Sequence, residues 1–112
     1  MTKTEKKLDK QIREILTDVC DSATETIQGF EWLTHAVNYS RFPASLKITC
    51  VFNTIQNLEQ YRASSSQNDI QNLIFDSLKS AGIILPKAEK QIQFDTEEAC
   101  EVMHGGNWAR RL

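Results

Sequence analysis

Leu8, Ile12, Ile15, Leu16, Val19, Ala23 and Ile27 recur at spacings of three and four. That period predicts an amphipathic helix of about five turns with one apolar stripe. Gly29 stands where a C-cap glycine would stop it. The pattern then changes period. Leu46, Ile48, Cys50 and Phe52 alternate with Lys47 and Thr49, which predicts a strand with one buried face. Phe30 to Tyr39 reads as a second strand, and "SRFPAS" between the two as a hairpin loop. Matching the apolar faces sets Leu33, His35, Val37 and Tyr39 opposite Phe52, Cys50, Ile48 and Leu46. Trp32, Thr34, Ala36 and Asn38 then fall on the other face.

Helical spacing returns downstream. Thr54 is placed to cap a short helix through Ile55, Leu58 and Tyr61. "ASSSQN" has nothing to bury and predicts a loop. Ile70, Leu73, Ile74, Leu78 and Ala81 form the stripe of a further helix that starts at Asp69, with Gly82 and Pro86 in the order of a C-terminus. "KQIQFD" alternates, with Ile92 and Phe94 inward, and predicts a third strand. Asp95 or Thr96 precedes a last helix; Asp95 as N-cap would put Glu98 at its third position, a capping-box spacing, with Ala99, Val102 and Met103 as its apolar side. "HGG" then ends that helix: a histidine suits the last turn and a glycine the left-handed cap. A phosphate loop needs its glycines before a helix, and these follow one.

The predicted fold is therefore an α+β two-layer sandwich of order α-β-β-α-α-β-α. It has a three-stranded mixed sheet with helices on one face. Its 112 residues make one domain, 1–112, with 106–112 as a C-terminal tail. Trp108 in that tail is costly to leave in water, so it either folds back on the body or forms a contact surface.

Composition adds limits. Hydrophobic residues make up 40% and charged residues 25%, and the net charge of −2 gives no overall field that attracts nucleic acid or anionic lipid. The charge is uneven, though: residues 1–13 carry five bases against two acids, and residues 14–31 five acids and no base. Three widely spaced cysteines are no disulfide framework. With a polar start and no spanning apolar run, the expected place is a reducing cytoplasm, with no membrane partner.

Candidate chemistry is sparse. Cys100 and His104 share a helix face, but a zinc site needs three or four ligands. His35 beside Cys50 across the hairpin would pair an imidazole with a thiol, yet it would point into the core with no oxyanion donor near. Asp95, Glu97, Glu98 and Glu101 read as a helix cap rather than an acid–base pair. The sequence thus predicts no enzyme and no catalytic, cofactor or metal residues. What it offers is a candidate interaction surface of Trp32, Arg41, Phe42, Lys47, Trp108, Arg110 and Arg111.

The element order resembles the bacterial form of the KH domain, and the related arrangement in ribosome-binding factor A, over roughly residues 5–95. The KH family clamps RNA backbone with a GXXG loop between paired helices. "ASSSQN" holds that place here without a glycine, so no binding residue carries over. Two functions follow as expectations. The first is a small non-catalytic cytoplasmic binding module, a protein-interaction adaptor or regulator that contacts another protein or itself. The alternative is an RNA- or ribosome-associated factor with a KH-like fold that lacks the GXXG loop.

Overall fold

The computed structural model describes residues 2–112. Helix α1 (Lys3–Thr26) begins at Thr2, whose hydroxyl accepts the Glu5 N–H. Strand β1 (Phe30–Ala36) and strand β2 (Lys47–Phe52) form an antiparallel hairpin. Helices α2 (Ile55–Ala63) and α3 (Asp69–Ser80) follow, then a single turn, α4 (Ala88–Gln91). Strand β3 (Ile92–Thr96) pairs parallel with β2, so the sheet order is β1-β2-β3. Helices α5 (Glu97–His104) and α6 (Trp108–Arg111) end the chain. This is the expected α+β sandwich with a mixed three-stranded sheet.

The core lies between one sheet face and α1–α4. Ile48, Cys50 and Phe52 are fully buried against Ile12, Leu16, Ile70, Ile74 and Leu78. Phe52 packs on Tyr61 and edge-on to Phe30. The buried Tyr61 hydroxyl accepts the Ile70 N–H and so fixes α3 on α2.

Three local expectations are corrected. The hairpin register is displaced by two residues: Leu33 pairs with Cys50 and His35 with Ile48. A shift of two keeps every side chain on its predicted face, because strand side chains alternate with period two. The displacement comes with a longer hairpin loop, since the last pair is Ala36 with Lys47. A separate one-residue bulge at Glu31 lets Phe30 face the core while Trp32 lies on the far side. Strand β1 also stops at Ala36 rather than Tyr39. Beyond it, the Ser45 hydroxyl bridges the backbone of Asn38, and Asn38 caps a 3₁₀ turn over Tyr39–Arg41. At α5 the N-cap is Thr96, not Asp95: the Thr96 hydroxyl accepts the Ala99 N–H at 3.0 Å. Glu98 makes no capping box and instead accepts the Ile55 N–H at the start of α2.

The molecule has two ends along the strands. At one lie the hairpin loop, the start of α1 and α4; Tyr39 reaches Asp9 there, and Gln91 donates to the Pro43 and Leu46 carbonyls. At the other lie Gly29, the start of α2, and α5 with α6.

Candidate functional site

The closing stretch "CEVMHGGNWARRL" is a clasp. Gly105 adopts φ 58°, ψ 29°, and its N–H donates to Glu101 while Gly106 donates to Cys100, so "HGG" terminates α5 as expected. The chain then reverses. Asn107 caps α6 through its side chain. Residues 106–112 take the fold-back alternative expected for Trp108. They fold onto the sheet face opposite the main core, where Val51 and Cys100 are both fully buried.

Glu97 holds the two tryptophans of the chain. Trp32 Nε1 donates to Glu97 Oε1, and Trp108 Nε1 donates to Glu97 Oε2 at 3.2 Å. The rings meet edge to face, 4.9 Å between centroids. Arg111 grips Asp95 with two bonds, Nε to Oδ2 at 2.7 Å and Nη2 to Oδ1 at 2.8 Å. Its Nη1 lies 3.3 Å from His104 Nδ1. Burial pushes the Asp95 carboxyl up, but the Arg111 bonds and the Thr96 N–H outweigh it and hold Asp95 below the usual carboxylate range.

The apolar side expected of α5 is not its buried side. Cys100 faces inward, whereas Val102 is 79% exposed and Met103 69%. Leu112 is 56% exposed at the end of α6, and Ile55, where Glu98 caps α2, is 42% exposed.

The seven candidate surface residues separate into two groups. Trp32, Trp108 and Arg111 meet in the clasp, half-buried, with Arg110 exposed beside them. Arg41, Phe42 and Lys47 sit at the hairpin end, where Phe42 stacks on Tyr39 and the two bases are exposed. Sequence reasoning missed Glu97, Asp95, Val102 and Met103 as parts of the clasp surface. The available signal was an acid pair followed by an apolar pair one turn on, which also fits an ordinary capped helix.

The two cysteine candidates are placed elsewhere. His35 does not face Cys50: its Nε2 lies 3.5 Å from Asp9 Oδ1, and Ile48 is its cross-strand partner. Burial pushes the Cys50 thiol up to about 12. A thiol in that state is not a nucleophile near neutral pH. We expect a thiol reagent in native buffer to modify the half-buried Cys20 first. Cys50 and Cys100 should react only after denaturant is added; rapid native labelling of Cys50 would contradict this placement. Cys100, at the clasp, is sealed from solvent, while His104 turns to Arg111.

"ASSSQN" closes on itself: the Ser64 hydroxyl donates to the Tyr61 carbonyl and accepts the Ser66 N–H. It borders a cleft of about 480 Å³ between α1, α2 and α3.

Charge divides along the strand axis. Residues 3–14, 37–47 and 75–91 make the hairpin end and carry ten basic against five acidic side chains, a local charge of +5. The rest of the chain carries three against ten, or −7. Comparison of the chain with protein families, characterised proteins and solved structures finds no match.

Proposed function

We propose that this protein is a non-catalytic interaction module that docks a second protein through the outer face of the clasp. One observation carries the reading: Val102 and Met103 stand adjacent and exposed on a helix whose inner face is already satisfied by Cys100. Burying each would gain about 1.5–3 kcal/mol. Met103 is engaged only through its sulfur, 3.7 Å from Arg111 Nη1, so both keep apolar surface free as anchors. The clasp beneath them is rigid, held by the Glu97 bonds and the Arg111–Asp95 pair, so little ordering is needed on binding. Glu98 and Glu101 border the apolar pair, within the acidic end.

That charge selects the partner. A symmetric dimer through this face would bring two net-acidic surfaces together. The occupant that fits is a different protein with an apolar pocket and a basic rim. No helix among the described residues is long and apolar enough to cross a membrane.

The test is a photoreactive amino acid placed at 102 in cells, with Asp18 on α1 as the control position. We expect one adduct of defined mass at 102, none at 18, and loss of the adduct in Met103→Ser. The Met103→Ser protein should unfold within about 0.5 kcal/mol of wild type, as surface changes do. Equal labelling at both positions, or adducts of a second copy of the chain, would defeat the reading.

A further inference from the structure

The hairpin end poses a separate question. All ten of its basic side chains are exposed. Eight are lysines, and among the described residues only Lys10 and Arg13 have an acidic partner, Glu14 at 3.9 Å and Asp9 at 3.1 Å. Lys3, Lys6, Lys7 and Lys10 recur at helical spacing, so they line one face of the first turns of α1. The remaining bases come from the hairpin loop, the end of α3 and α4, which Gln91 ties to that loop. The acids here are partly consumed: Asp9 accepts from Tyr39 at 2.8 Å as well as pairing with Arg13.

We propose that this basic end binds the phosphate backbone of a nucleic acid, without reading its sequence. Lysine supplies strongly hydrated point charges that meet successive phosphates and release counterions, and neither step demands fixed geometry. The charges lie on four elements around one end, so a flexible polyanion can follow them. A membrane fits less well, because surface helices insert an apolar face, and the apolar stripe of α1 is spent on the core from Ile12 onward. A second copy fits less well too: basic end to acidic end is a head-to-tail contact that needs a ring or a filament of copies, whereas a polyanion meets the basic end of a single copy. The proposal is independent of the clasp reading, since it uses the opposite end. It also owes nothing to the cleft beside "ASSSQN", which lies at the acidic end near Ile27 and Gln28.

Fluorescence anisotropy of a labelled mixed-sequence RNA and of a DNA duplex tests it. At about 50 mM salt we expect a Kd of about 10 µM or tighter for at least one of them, weakening at least tenfold by about 200 mM. The double variant Lys3→Glu, Lys6→Glu should weaken binding at least tenfold and flatten the salt dependence. Acids suit the first turns of a helix, so this variant should keep the wild-type circular dichroism and melting curve. Asp18→Asn with Asp21→Asn, on α1 beyond the basic turns, should not weaken binding. The proposal is overturned by no binding at about 50 mM salt, or by binding that ignores the lysine changes. It is equally overturned if those changes abolish only flotation with phosphatidylserine vesicles or only self-association in sedimentation.

Discussion

Gly29→Ala should lower the unfolding free energy by about 3 kcal/mol. Gly29 has φ +86°, where a Cβ costs about 1–2 kcal/mol. Space is the second cost. A Cβ at Gly29 would lie 2.6 Å from the Asn57 Cβ and 2.8 Å from Asn53 Oδ1. The Asn57 Cβ is anchored to the α2 backbone and cannot rotate away, so α2 itself must move. Such overpacking costs about 1–3 kcal/mol. The movement would also disturb the bond from the Asn53 N–H to the Gly29 carbonyl, 2.8 Å, which closes the β1–β2 ladder. Gly105 separates the two terms. It has φ +58° and open space where a Cβ would stand, so Gly105→Ala should cost only about 1 kcal/mol. Urea unfolding of both variants measures the difference. Equal losses would mean that the contact with Asn57 carries no energy.

The elements that rest on periodicity were legible in the sequence. The stripe from Ile12 to Ala23, the alternation from Ile48 to Phe52 and the Thr54 cap all appear where their spacing puts them. Each is a local rule with one solution. The hairpin register was not legible, because it depends on how many residues the loop takes, here 37–46, and on a bulge further along β1. Both Phe30 and Leu33 serve the core, and only a bulge between them permits that. The clasp was hidden for a related reason. "NWARRL" has no period of its own, and its placement follows from partners as distant as Trp32 and Asp95. Helix α5 misled in the opposite direction: Val102 and Met103 look like a buried side, and they lie outside because Cys100 takes the inner position. The charge division is visible only once α3 and α4 bring Lys79, Lys87 and Lys90 to the same end as α1.

Glu97→Ala should open the clasp while the rest of the fold stands. It removes the acceptor of both indole N–H groups at once, and both indoles are half-buried. Leaving such donors unpaired costs about 1–3 kcal/mol each when they are fully buried. Partial exposure reduces that, so about 2 kcal/mol in total is expected, enough to release a four-residue helix. The chain has only these two tryptophans, so its fluorescence reports the clasp alone. Emission should shift to longer wavelength, and amide exchange over residues 97–112 should quicken while α1 and β2 stay protected. Arg111→Ala tests the other half of the lock through pH. Asp95 is held below its ordinary value of 3.8, with Arg111, the Thr96 N–H and His104 on its side and burial opposed. A depressed carboxyl contributes stability that is present above its unfolded value and lost as pH falls through the lower folded one. The wild-type clasp should therefore stay closed at pH 4 and open only in stronger acid. In Arg111→Ala the tryptophan transition should move up in pH, toward the ordinary carboxylate range. If Glu97→Ala leaves emission and exchange unchanged, the clasp is held by packing of the rings alone, and the rigid support argued for Val102 and Met103 has another source.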